Sequence, residues 1–335
     1  MSSPSHPISR KEVCGLMDVI EVSSAAQVRA FEASGAVDRL HAIPTSALPC
    51  WIRTFFKGSQ FYDQERDEWF CAFEPASERT RARASYLKSK LYNEQGEPAY
   101  STQDIQKIAM MLQLEADDAV LAEAIVNIVN RRFLGGHIPR KVILDGRKIL
   151  RKIADLFNPW KYVGATEAIS RVLRFCAHHL GSATRTVDLG HNIATCGTSV
   201  AEALRMVYSY RDSDLSVEDI FSAHAPAHSL LRVAVKDDVV EGQRLIPRQT
   251  VVRYDIRTIA AEVMDQDLSF TFGAGSSYRA CPFKAFFVKF MKDVQSELRR
   301  GETTHEEAFA ILPALHRLHQ TVAYPASFAC YNRMF

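Results

Sequence analysis

Of the seven cysteines in the chain, Cys281 has neighbours that the others lack. It closes the stretch Phe270-Thr271-Phe272-Gly273-Ala274-Gly275-Ser276-Ser277-Tyr278-Arg279-Ala280-Cys281-Pro282-Phe283. Two glycines and two serines ahead of the sulfur make a loop whose backbone can approach a flat ligand closely. Pro282 suits the first position of a helix, where its missing N–H costs nothing. Cys281 is therefore expected at a helix N-terminus, where the dipole and unpaired amides favour a thiolate over a thiol. Arg279 adds positive charge two residues earlier. A thiolate presented in this way suits a ferric iron. The competing reading is a buried cysteine on an ordinary turn before an amphipathic helix. Cys14, Cys50, Cys71, Cys176, Cys196 and Cys330 are widely spread, and no C-x-x-C pair occurs. An odd total with that spacing argues against a disulfide framework and against a zinc ribbon, and leaves these six as small hydrophobes.

The elements that must position Cys281 read as mostly helical. Between residues 117 and 133, Val120, Leu121, Ala124, Ile125, Ile128 and Val129 recur at steps of three and four. Between 164 and 180, Ile169, Val172, Leu173, Cys176 and Leu180 share one face, with Ser170, Arg171, Arg174 and His178 opposite. A third helix is expected over 199–208. A fourth follows Cys281 and aligns Phe283, Phe286, Phe287, Phe290, Met291, Val294 and Leu298. Short β-like stretches at 231–235 and 250–254 flank the turn-prone 236–242 and Ile246-Pro247. No repeat, low-complexity tract or linker interrupts the chain. The expectation is a mainly α fold with a small β portion, in a single domain over 1–335 whose first 15 or so residues are flexible.

Composition narrows the class. A chain of 335 residues with 47% hydrophobic and 24% charged content is globular in type. A net charge of +2 makes nucleic acid an unexpected partner. No apolar run approaches the roughly 20 residues that span a bilayer, so no membrane is expected. Met1 to Val13 is polar and lacks the charged-then-apolar order of a secretory signal. The expected location is the cytoplasm.

In five places the residues resemble the cytochrome P-450 family. The loop before Cys281 is similar to that family's haem-thiolate signature, with Phe272, Gly275, Arg279 and Cys281 matching in type and order. It departs in length, since Phe272 stands nine residues before the cysteine, and in Phe283, where a glycine is usual. Val163-Gly164-Ala165-Thr166-Glu167-Ala168 resembles the kinked centre of the family's long distal helix. Glu202-Ala203-Leu204-Arg205 resembles its E-x-x-R helix, a structural pair and not a catalytic one. Glu78-Arg79-Thr80-Arg81-Ala82-Arg83 resembles the H-x-x-x-R segment, with Arg79 in place of the histidine. Leu231-Arg232-Val233-Ala234-Val235 resembles the strand after the E-x-x-R helix. The stretch between Arg83 and Gly164 is short for the family, so the lid over the pocket (the F/G region) is expected to be trimmed. The arginine-rich meander before the cysteine loop is nearly missing, and Arg253 or Arg257 is the candidate to complete the E-x-x-R pair.

The resemblance implies haem b, with Cys281 as the iron ligand. It places Arg79, Arg83, Arg232 and Arg279 on the propionates, with Phe272 and Gly275 lining the cofactor. Guanidinium groups bond carboxylates strongly and in pairs, so such a cradle is physically sensible. It implies Gly164, Thr166 and Glu167 beside the distal ligand, with Glu167 as a proton-handling carboxylate. The competing position for Glu167 is a solvent-facing pair with Arg171, one turn on. The implied activity is oxidation of a small organic substrate, free or carrier-bound, in secondary metabolism. A ferredoxin- or flavodoxin-type donor or peroxide would supply the oxidising equivalents, and Arg248, Lys284 and Lys289 could form a docking face for the donor. Thr166 and Glu167 stand in the reverse of the family's acid–alcohol order, which widens the reading to peroxide-driven or redox-neutral chemistry. The alternatives are a haem-dependent rearrangement and a non-catalytic auxiliary partner of a biosynthetic enzyme. A homodimer is compatible with a trimmed lid.

Overall fold

The β-like stretches expected near 231–235 and 250–254 form the two middle strands of a five-stranded sheet. The computed structural model describes residues 9–13, 17–38, 62–63, 68–69, 78–153, 164–180, 186–226, 229–234, 238–240, 244–246, 250–266, 268–273 and 281–300. A hairpin of β1 (Ser9–Val13) and β2 (Met17–Val22) opens the sheet. After α1 (Ala25–Ser34) comes the short edge strand β3 (Val37–Asp38). β4 (Tyr62–Asp63) and β5 (Glu68–Trp69) pair separately. Late in the chain come β6 (Ser229–Ala234), the small hairpin of β7 (Asp238–Val240) and β8 (Arg244–Ile246), and β9 (Val251–Asp255). The sheet order is β1-β2-β9-β6-β3, with β2 and β9 parallel and the other neighbours antiparallel. The first and last parts of the chain are thus joined by hydrogen bonds. Alternate strand positions, Ile20 and Val22 on β2, and Val252 and Tyr254 on β9, bury against Val28 and Phe31 of α1.

The helices build a second, larger core. They are α2 (Glu78–Leu91), α3 (Thr102–Gln113), α4 (Asp118–Leu134), α5 (Arg140–Ile153) and α6 (Ala165–Leu180). There follow α7 (Thr186–Thr195), a π-helical segment at Cys196–Val200, and α8 (Ala201–Ser209). These three run on from one another as a single rod. α9 (Val217–Ala223) precedes the sheet strand β6, α10 (Ile256–Val263) follows β9, and α11 (Lys284–Arg300) follows Cys281.

Local chemistry sets several starts. Ser101 and Asp104 form a reciprocal capping box at α3, and Ser216 and Asp219 form another at α9. Arg131 of α4 also bonds Asp104 with both terminal nitrogens, at 3.2 and 2.9 Å. Burial pushes the Asp104 carboxyl up, but the Arg131 and Ser101 hydrogen bonds outweigh it and hold the group below its ordinary value.

The α11 pattern is met in full. Phe283, Phe286, Phe287, Phe290, Met291, Val294 and Leu298 are all buried. The Tyr100 ring lies edge-on to Phe286 and Phe290, at 5.4 and 5.0 Å between centroids, which seats α11 against the start of α3.

The rod crosses α5 at Gly146. A Cβ there would stand 3.1 Å from the Ala194 Cα and 3.3 Å from its nitrogen, so the two backbones meet with no room for a side chain. On α5, Asp145 next to this glycine receives Arg171 of α6 in two bonds of 2.7 and 2.6 Å. The α5–α6 pair is thereby fixed over the rod.

Gly146→Ala should lower stability although alanine favours helix by about 1 kcal/mol, because overpacking against backbone costs about 1–3 kcal/mol. Gly146→Leu should lower it further. Thermal unfolding of the two variants measures both steps, and an unchanged or raised Tm for Gly146→Ala would show that the crossing has slack.

Candidate functional site

Cys281 stands three residues before the first residue of α11. Its N–H donates to the Phe272 carbonyl at 2.6 Å, and its own carbonyl accepts the Lys284 N–H at 3.1 Å. The sulfur is thus held where two backbone bonds join the preceding loop to the helix start. The expected helix N-terminus is present, with α11 beginning two residues later than Pro282. Cys281 is half-buried and unbridged, and it packs with Phe272 against the helical core.

The start of the π-helical segment of the rod lies near Cys281. Cys196, its first residue, lies within electrostatic reach: burial first, and then negative charge on Cys281, push the Cys196 thiol well above its ordinary value. Cys196 donates through Sγ to the Asn192 Oδ1 at 3.4 Å, Asn192 donates to the Asn130 Oδ1 at 2.6 Å, and Asn130 donates to the Val126 carbonyl at 2.8 Å. Both asparagines are fully buried. This chain of amides pins the rod to α4 just where its helical pitch widens. A π turn leaves backbone groups out of the regular ladder and occurs mostly at functional positions. Within it, the Thr198 hydroxyl is buried and makes no hydrogen bond.

Residues 186–198 carried no helical expectation because the helix is hidden on nearly every side. Thr186, Val187, Asp188, Leu189, Gly190, Asn192, Ile193 and Ala194 are all buried, so no polar face marks a period. The available signal was weaker: small and hydroxylic residues, Thr195-Cys196-Gly197-Thr198-Ser199, in the middle of a buried run.

Several expectations are corrected by these positions. Gly164 is the turn before α6, with φ of 80°, so 164–168 is a helix start and not the middle of a long helix. Thr166 falls in that first turn. Glu167 is 74% exposed and bonds Arg171 at 2.8 Å, the solvent-facing alternative, because the i,i+4 spacing brings the two side chains together on the outer face. The long interrupted helix is the rod from 186 to 209.

The E-x-x-R expectation also moves. Glu202 is exposed on α8, and Arg205 bonds the Asp118 carboxylate and the Ala116 carbonyl on α4. The helix leading into β6 is α9, whose sequence Val217-Glu218-Asp219-Ile220-Phe221-Ser222-Ala223 contains no arginine. Arg253 pairs with Glu21 on the neighbouring strand and Arg257 bonds the Ala225 carbonyl, so neither completes a pair with Glu202.

The arginines expected around propionates have other partners. Arg83 grips Asp188 of the rod with Nε and Nη2, both at 2.9 Å, with side chains 8% and 1% exposed. Arg232 on β6 bonds Glu32 of α1 at 2.8 Å, and both are 6% exposed. Arg79 is exposed on α2. Gly275, Arg279 and Arg248 lie outside the described residues. Of the two lysines expected on a docking face, Lys289 pairs with Asp293 at 3.0 Å, and Lys284 donates its backbone N–H to Cys281.

The residues fit a haem through its iron. Cys281 offers a thiol at a helix start, and the Thr198 hydroxyl in the π-helical segment is a buried polar atom with no hydrogen-bond partner among the described residues. They do not fit through the propionates as arranged, since Arg83 and Arg232 already hold buried carboxylates of the chain.

A mainly α protein has thus been built around a cysteine just before α11, with a mixed sheet in which β2 pairs with β9. Solved cytochrome P450 structures share this architecture. Cytochrome P450EX alpha (CYP152N1) with myristic acid matches with a TM-score of 0.63 and 11% identity, over 86% of this chain and 82% of that one. P450BioI, in complex with acyl carrier protein ligated to hexadec-9Z-enoic acid, matches at 0.59 and 12%, over 88% and 86%. Cytochrome P450 PksS of the Bacillus subtilis 168 bacillaene polyketide synthase matches at 0.58 and 12%, over 88% and 84%. No family model and no curated protein matches the chain. The chain has the cytochrome P450 fold. Among the described residues, no helix is long and apolar enough to cross a membrane.

Two variants test the walls of the site. Asp188→Asn should cost about 3–5 kcal/mol, because it strands a buried guanidinium, whereas the joint change Arg83→Met with Asp188→Leu should restore most of that loss. Denaturant unfolding reads both, and an Asp188→Asn protein as stable as the parent would show that the pair is idle. Thr198→Val should raise stability by about 1 kcal/mol or more, since it removes a hydroxyl that has lost water and found no partner. A fall in Tm would mean that the hydroxyl is satisfied in solution.

Proposed function

We propose that the chain is a haem-thiolate oxidoreductase that oxidises a small organic molecule, with Cys281 as the iron ligand. The observation that carries this reading is the position of an unbridged cysteine at the start of α11, near the start of the π-helical segment of the rod, in a cytochrome P450 fold. When bound, haem with a thiolate ligand supplies one- and two-electron chemistry on oxygen or peroxide, the thiolate pushing electron density that favours O–O cleavage.

The chain's own residues do the remaining work. The Phe272 carbonyl, by accepting the Cys281 N–H, fixes the direction of the sulfur. The dipole at the start of α11 favours the sulfur as thiolate. In the π-helical segment, the Thr198 hydroxyl is placed to donate or accept a hydrogen bond at a distal ligand, a role the sequence reading gave to Glu167. The apolar side chains packed around Phe272 and Cys281 keep water from the sulfur. Phe272, Gly275 and Arg279 stay candidates to line the cofactor, and Arg79 to reach it from α2.

For the substrate, the support comes from the neighbours. P450EX alpha is described with myristic acid, OleT with arachidonic acid, and P450BioI with an acyl carrier protein. A fatty acyl chain, free or carried, is the substrate class to try first. A ferredoxin- or flavodoxin-type donor, or peroxide, completes the stoichiometry of an oxidation.

One observation favours a second reading. Arg83 and Arg232 are neutralised by Asp188 and Glu32 inside the protein, as suits a haem-free scaffold that assists another enzyme.

The experiment that separates the two is an absorption spectrum after haem-supplemented expression. The first reading expects a Soret band that, on reduction with carbon monoxide, takes the long-wavelength position imposed by a thiolate ligand. It also expects Cys281→Ser to abolish that position. Colourless protein, or an identical spectrum in Cys281→Ser, would overturn it.

A further inference from the structure

Away from Cys281, the exposed face of α5 carries Lys141, Leu144, Lys148 and Arg151, spaced three and four residues apart in one row. Three of the four are cations and none is an acid. Arg140, half-buried, stands beside the first of them. The neighbouring helix widens the row. Arg171 of α6 meets Asp145 of α5, so the residues one turn from either, Lys141, Lys148 and the exposed Arg174, gather around that joint. We propose that this face of α5 and α6 is a docking surface for an acidic helix of a partner protein, one whose carboxylates flank an apolar row. The proposal does not rest on haem.

The argument starts from the acids. Two carboxylates lie at the joint, Asp145 and Glu167, and Arg171 takes both, at 2.6 and 2.8 Å. Arg151 reaches Asp118 only at 4.0 Å, and Asp118 also serves Arg147 and Arg205. Among the described residues, Arg140, Lys141, Lys148 and Arg174 make no ion pair. An approaching acid therefore meets cations that the fold has not neutralised.

This placement costs the free protein stability. No acid stands in the first turn of α5, where the helix dipole disfavours cations, yet Arg140 and Lys141 stand there. Lys148 and Arg151 are like charges one turn apart, which also weakens a helix. An opposing row of carboxylates would remove both penalties. Leu144, in the middle of the row, is 43% exposed. An apolar centre with charge around it is how protein interfaces are built. A phosphate backbone would leave Leu144 uncovered, and the row holds no aromatic side chain on which a base could stack. One leucine is also too little apolar surface to anchor α5 in lipid. A second helix fits because its own side chains recur at the same rise, so its acids can meet successive cations.

The test uses the full chain and a synthetic helical peptide, labelled with fluorescein, whose glutamates flank a row of leucines. Fluorescence anisotropy should show saturable binding that weakens as sodium chloride is raised. The same peptide with glutamine for every glutamate should not bind. Lys148→Glu should weaken binding about tenfold or more, since it turns an attraction into a repulsion. Leu144→Ser should weaken it with no change in charge. Arg300→Glu, which alters the net charge equally but on α11, should leave it unchanged. Unchanged helical circular dichroism would show that each variant is folded. Absence of saturable binding, equal binding of the glutamine peptide, or parental affinity in folded Lys148→Glu or Leu144→Ser would each overturn the proposal. So would an equal loss in Arg300→Glu, or tighter binding of duplex DNA or phosphatidylglycerol vesicles at the same salt.

Discussion

The structure depends on how one buried helical rod is held by polar side chains. Residues 186–198 of the rod run through the main core buried on nearly every side, and such a stretch cannot be registered by hydrophobic burial alone, since apolar contact has no direction. Direction comes from two devices. The amide chain Asn130–Asn192–Cys196 fixes the rod against α4, and the Arg83–Asp188 pair fixes its start against α2. A buried polar group left without its partner is costly, so shifting the rod by one residue would break both sets of bonds together. The π-helical segment sits immediately after this anchorage, and Cys281 lies near its start.

The same two carboxylates that hold the architecture shape its chemistry. Asp188 and Glu32 engage the arginines that a propionate-binding reading would leave free. The protein is therefore electrostatically complete on that side without an added dianion. A haem entering this fold would be gripped chiefly at its iron and by apolar contact, unless its propionates displaced the internal carboxylates.

Much was legible in the residues. The phenylalanine-rich face after Cys281, the helices near 117–133 and 164–180, and the strands near 231 and 250 all follow from patterns with one wet and one dry side, which a period reveals. Cys281 before a helix start was legible because the glycine-rich loop and Pro282 constrain the backbone locally. Gly164 and Glu167 were misassigned because a short match of small and acidic residues does not distinguish a helix start from the interrupted middle of a longer helix. Their surroundings decide that, and here they are solvent and Arg171.

What the sequence by itself determined is local: a mainly α chain with a small sheet, and a cysteine presented at the head of α11. The tertiary structure alone decided which segment that cysteine lies near and which arginines are already satisfied. Those properties arise from contacts between residues far apart in the chain, such as Arg83 with Asp188 and Glu32 with Arg232, and no periodicity or spacing encodes which distant charge a side chain will meet.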